Sequence, residues 1–144
     1  MSDEHDNQPS IRDLGVDLNS VEAPVPLPAT TYPAIIKDAK IKPTKANDGS
    51  EYISLTLYVS PDDYPHDYVD GNPDGELLTY NRLSFSTQNK RALYKLKKFL
   101  EMLGIPLSNK FDPGELVGHN VNIKVKHGSW EGETRAEIDA ISEA

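Results

Sequence analysis

The chain has 144 residues, no cysteine, 37% hydrophobic residues and a formal charge of −8. That length suits one compact domain with tails, and the missing thiols exclude disulfide staples, thiolate zinc centres and cysteine nucleophiles. No apolar run reaches the length that spans a bilayer, and the acidic N-terminus is unlike a secretory leader, so a soluble protein with no membrane partner, in an intracellular setting, is expected.

The charge is unevenly spread. Residues 1–31 carry six acids against Arg12 alone, a net of −5, and residues 62–76 carry six acids and no base, a net of −6. What remains is mildly basic, +3 within the total of −8. A basic body with two acidic appendages is compatible with a phosphate-bearing partner, which the overall sign alone would argue against.

In chain order, residues 1–31 read as a flexible acidic tail and linker, closed by Pro24, Pro26 and Pro28. Within it Ile11, Leu14, Val16 and Leu18 form an apolar scatter suited to ordering on a partner. The folded domain is expected over residues 32–144. From Tyr32 the pattern has period two, with Ala34 and Ile36 on one parity and Ala39 and Ile41 on the other, so a β-bulge is expected near Lys37 and Asp38. Asn47, Asp48 and Gly49 supply a turn, and residues 51–59 then alternate, with Ile53, Leu55, Leu57 and Val59 inward and Tyr52, Ser54, Thr56 and Tyr58 outward.

Residues 60–76, rich in Pro, Gly and Asp, form an acidic loop insertion. A third strand follows over residues 77–85, where Leu83 and Phe85 point inward and Tyr80 and Arg82 share the opposite parity. A helix is expected over residues 88–103, capped by Ser86 or Thr87 and stopped by Gly104 and Pro106. Leu93, Leu96, Leu100 and Leu103 form its buried stripe. Two strands complete the chain, residues 119–126 with Val121, Ile123 and Val125 inward, and residues 133–141, joined by a hairpin around Gly128, Trp130 and Gly132. The class is mainly β, and three strands, one helix and two strands is the order of a five-stranded OB-type barrel with its helix between strands 3 and 4.

The outward parities gather Tyr52, Tyr58, Tyr80 and Arg82 on strands 2 and 3, flanked by Lys40, Lys42, Lys124 and Lys126, with Trp130 in the last hairpin. Aromatic rings stack on unpaired bases and cations hold phosphates, so this set suits a single-stranded nucleic acid bound without sequence preference. The basic run Lys90, Arg91, Lys95, Lys97 and Lys98 reads instead as a solvated helix face.

Other chemistry has less footing. Residues 70–75 fit the first half of an EF-hand loop, but Asn81 stands where the bidentate Glu belongs and strands flank the loop. His66 has no second histidine at zinc spacing, and no nucleophile elbow, phosphate loop or dinucleotide fingerprint occurs, so no metal, no cofactor and no enzymatic activity are expected.

The segments from Tyr32 to Ile36, Gly49 to Ile53, Leu96 to Pro106 and Leu116 to Val125 resemble bacteriophage-encoded OB-fold single-stranded DNA-binding proteins and their uncharacterised relatives. The resemblance implies single-stranded DNA binding in phage replication, recombination or repair, in the cytoplasm of the infected bacterium. On that reading the acidic N-terminal tail offers a contact for phage or host replication proteins. The alternatives are an OB-fold module that binds a host or phage protein and no nucleic acid, since Tyr and Trp also anchor protein interfaces, and a structural virion protein.

Overall fold

The computed structural model describes residues 10–46 and 48–144; Asn47 of the expected turn and residues 1–9 of the expected tail lie outside them. The elements are β1 (Thr31–Pro43), β2 (Glu51–Val59), β3 (Glu76–Phe85), α1 (Lys90–Leu103), β4 (Asn120–Trp130) and β5 (Glu133–Glu143). The strands form one antiparallel sheet in the order β3-β2-β1-β4-β5.

β1 is long because it serves two neighbours, pairing with β4 through residues 31–35 and with β2 through residues 35–43. The register slips between Ile36 and Asp38, so Lys37 is the extra residue of a bulge, at the site where the apolar parity changes. The bend lets Ile36 and Ala39 both reach a core that includes Ile53, Leu55, Leu57, Val59, Val121, Ile123 and Val125.

A second bulge lies on β3. Ile53 faces Leu83 and Leu55 faces Tyr80, so Asn81 and Arg82 together oppose Ser54. The extra residue inverts the parity within β3. Tyr80, expected to point outward, therefore lies on the same face as Leu55 and packs partly buried against the core.

α1 starts two residues later than expected because Asn89, rather than Ser86 or Thr87, caps it, its Oδ1 accepting from the N–H groups of Arg91 at 2.9 Å and Ala92 at 3.3 Å. Gly104 ends it in the left-handed conformation, φ +75°, with Ile105 N–H donating back to the Leu100 carbonyl. The face it buries is Ala92, Leu96 and Leu100, while Leu93, expected in that stripe, is 43% exposed.

The segment before β1 is anchored where free linker is expected. Leu27 is 2% exposed in the core, the Tyr32 hydroxyl donates to the Pro28 carbonyl at 2.6 Å, and Val125 N–H donates to Thr30. Once Leu27 fills the end of the core, the flanking prolines hold the chain extended without needing ladder hydrogen bonds. Upstream of it Ile11, Leu14, Val16, Leu18 and Val21 are all exposed. No described helix is long and apolar enough to cross a membrane.

Candidate functional site

The outward face of β1, β2 and β3 follows from the register. Lys42, Tyr52 and Ser84 form one cross-strand row, and Lys40 lies beside Ser54, which faces the Asn81–Arg82 bulge, in the next. Lys40, Lys42 and Tyr52 are thus brought together as expected. Lys42 is exposed, whereas Lys40 stands 3.6 Å from the Asp38 carboxylate. Two exposed partners in water lose little by separating, so Lys40 stays available to an anion.

Tyr52 opens onto a groove of about 790 Å³ between the β1–β2 turn and the start of α1, which Asn81, Ser84, Thr87 and Gln88 also line. On the turn side stand Asp48 and Glu51. The hydroxyl and N–H of Ser50 both donate to the Asp48 carboxylate and hold its pKa below the usual carboxylate range.

Asn81 also lines a second cleft, of about 390 Å³, together with Leu77, Thr79, Arg135 and Glu137. This cleft follows the edge of β3 opposite β5, where the sheet is not closed. Beyond it β4 and β5 continue as a two-stranded arm. Trp130 pairs with Glu133 at its tip, across a two-residue turn in which Glu131 (φ +52°) and Gly132 (φ +82°) are both left-handed. Trp130 is 55% exposed, with the Arg135 guanidinium 5.0 Å from its ring centre. The two depressions share Asn81, and Arg135 of the second stands over the Trp130 ring, so Tyr52, Asn81, Arg135 and Trp130 form a track of successive neighbours.

Three expected contact residues have protein partners instead. Arg82 Nη2 donates to the β5 carbonyls of Ile138 at 2.9 Å and Asp139 at 2.5 Å, bridging the open seam between the sheet's two edges. Its guanidinium also lies 5.2 Å from the Tyr80 ring, whose inward turn follows from the β3 bulge. Tyr58 points outward, but its hydroxyl donates to the Asp74 carbonyl at 2.9 Å, Gly75 lies against its ring and Lys37 Nζ stands 5.2 Å from its centre. Those partners leave Tyr58 little ring face for a base.

Lys124 and Lys126 share a counter-ion. Asp139, the extra residue of a third bulge on β5, lies 4.0 Å from Lys124 Nζ and 3.7 Å from Lys126 Nζ. Arg135 and Asn81 are the residues of the track that sequence reasoning passed over. Periodicity carries no sign that Arg135 stacks on Trp130, and Asn81 enters through the bulge.

The acidic loop is built on its two tyrosines and fastened to Tyr58 of β2. Tyr64 and Tyr68 meet edge to face at 5.5 Å over Gly71, and their hydroxyls donate to Asn72 at 2.7 Å and Val25 at 2.8 Å. Burial raises the Tyr64 phenol to about 12, helped by Glu76, Tyr68 and Tyr58, and raises Tyr68 as well. Two loop acids accept from the backbone, Asp70 from Val25 N–H at 2.6 Å and Glu76 from Asn72 N–H at 2.8 Å. Among the described residues no group of three metal-ligating side chains converges.

No curated protein matches this sequence. A family model described as a protein of unknown function, DUF669, matches residues 14–143, which takes in every strand and the helix. The chain belongs to the DUF669 family.

Proposed function

We propose that this protein binds single-stranded DNA on an OB-type barrel left partly open between β3 and β5. Support for the barrel comes from β1 pairing with both β2 and β4, from the helix between β3 and β4, and from Arg82 joining the two sheet edges. The observation that carries the function is the series Tyr52, Asn81, Arg135 and Trp130, two adjoining depressions with an exposed aromatic ring at the hairpin, on the strand face and hairpin where OB folds take oligonucleotides. Tyr52 and Trp130 stack on bases, while Lys40, Lys42, Lys124, Lys126 and Arg135 neutralise phosphate. Tyr58, Tyr80 and Arg82 support the face from within the fold. Stacking and charge neutralisation tolerate any base sequence, which suits a role in phage DNA replication, recombination or repair in the infected bacterial cell.

A second reading, a protein-binding module, draws on one feature. An apolar groove of about 500 Å³ beside α1 is lined by Leu93, Leu107 and Phe111 among others, and it adjoins the Tyr52 groove at Phe85 and Thr87. Salt separates the two readings, because phosphate contacts weaken steeply as salt rises and an apolar interface need not.

Trp130 is the only tryptophan, so its fluorescence reports on the hairpin tip directly. Titration with a thymidine oligonucleotide is expected to quench it, less so at higher salt, while a matched duplex leaves it unchanged. No quenching and no gel shift with the single strand would overturn the DNA reading and send the search to protein partners.

A further inference from the structure

The track contains one position built to discriminate. Ser54, on the outward face of β2, is the one buried polar residue among the described residues, 7% exposed, and its hydroxyl donates to Asn81 Oδ1 at 2.7 Å. In the structure the amide is oriented with its oxygen toward the buried Ser54 hydroxyl. With Oδ1 held by Ser54, the Asn81 Nδ2 group is left as the free end, and it offers donors only. The bulge keeps Asn81 in place, since Asn81 and Arg82 together span Ser54 and Arg82 is tied to β5.

We propose that Asn81 is a specificity-determining residue, reading a base stacked on Tyr52 and favouring one with a carbonyl edge, thymine or guanine, over adenine. An unrestrained asparagine pairs with adenine by accepting from N6 and donating to N7. Here the acceptor half of that pair is directed to Ser54, so an adenine amino group in the same pose meets the amide hydrogens, whereas thymine O4 or O2 and guanine O6 accept them. The charged residues of the groove, Lys45, Asp48 and Glu51, all stand on its turn side, while Asn81, Ser84, Thr87 and Gln88 make the opposite wall from neutral hydrogen-bonding groups. A base stacked on Tyr52 therefore faces the neutral wall, where Asn81 stands.

This inference rests on the single-strand reading, and its test separates the two. Affinities for dT and dA oligonucleotides of equal length are measured for the wild-type chain, Asn81→Asp and Ser54→Ala, with folding checked by circular dichroism. The readout is the dT to dA affinity ratio relative to wild type, so that the self-stacking of dA cancels. Asn81→Asp keeps the acceptor for Ser54 but replaces the donors with an oxygen, and Ser54→Ala frees the amide to rotate. Each is expected to lower the ratio about 3- to 10-fold, the equivalent of losing one hydrogen bond. An unchanged ratio in both folded variants overturns the role of Asn81 and leaves DNA binding standing. If Asn81→Asp does not fold, Ser54→Ala alone decides. Failure of the wild-type chain to bind either strand overturns the underlying reading, and this one with it.

Discussion

Gly75 lies flat against the ring of Tyr58, with φ at +102° and no room for a Cβ beside the aromatic carbons. The carbonyl of Asp74, one residue earlier, takes the Tyr58 hydroxyl. This pair fastens the acidic loop to the sheet. Gly75→Ala combines a forbidden backbone region with a steric overlap, and is expected to cost about 1–3 kcal/mol. Urea denaturation measures the loss, and limited proteolysis shows whether cleavage within residues 60–76 accelerates. A variant as stable and as resistant as wild type would show that the loop does not depend on this contact.

Arg82 gives a prediction that separates a seam from a phosphate contact. Arg82→Ala removes two charge-assisted bonds to β5 carbonyls and is expected to destabilise the fold by about 1–3 kcal/mol. Amide hydrogen exchange should quicken along β3 and β5, while the salt dependence of single-strand binding stays unchanged. A shallower salt slope with unaltered exchange would return Arg82 to the phosphate-binding set.

Asp139 restrains Lys124 and Lys126, and Asp139→Asn keeps the backbone carbonyl that Arg82 uses. The expected result is about 2- to 5-fold tighter single-strand binding at low salt, with a slope steeper by up to about 0.7 per additional phosphate engaged. Equal affinity and slope would place both lysines outside the DNA path.

The anchoring of the linker is testable at Leu27. Leu27→Ala empties a core position and is expected to cost about 2–4 kcal/mol, whereas Leu18→Ala, in the exposed segment, should stay within about 0.5 kcal/mol. Urea midpoints compare the two. Similar small losses for both would mean that the linker detaches readily.

Tyrosine ionisation supplies a pH prediction. Burial holds the phenols of Tyr32 and Tyr64 up to about 12, against 10 when unfolded, and also raises Tyr68. The neutral form is the one the fold retains, so this contribution is complete below pH 10 and is lost as the pH rises through about 12. Absorbance at the tyrosinate band should show a late step coincident with loss of folded circular dichroism. A step for these three residues near pH 10, with the fold intact, would contradict the packing.

The inward side of β2 matches its sequence pattern, because Ile53, Leu55, Leu57 and Val59 alternate without interruption and all four are fully buried, while Ser54 on the outward parity is buried as well, under Asn81. The Lys37 bulge was equally legible, since apolar residues on both sides mark the change of phase. The bulge at Asn81 and Arg82 was not. The aromatic ring of Tyr80 suits either face, so no apolar mismatch marks the shift, and Tyr80 was assigned to the wrong side as a result while Arg82 kept its outward place. Partners far apart in sequence were hidden for another reason. Arg82 with Ile138, Tyr68 with Val25 and Leu27 with the core depend on closure of the whole chain, and local periodicity carries no trace of it.

The central place of β1 has a consequence for how the chain is made. Its pairing with β2 is available as soon as that neighbour leaves the ribosome, but Tyr32 must wait about 90 residues for Ile123. Until then one side of β1 is an uncapped template, bearing Tyr32, Ala34 and Ile36, on which a neighbouring nascent chain can add a strand. Closing that long loop is the expected slow step of folding, and a chain stalled before β4 would be the form most prone to aggregate.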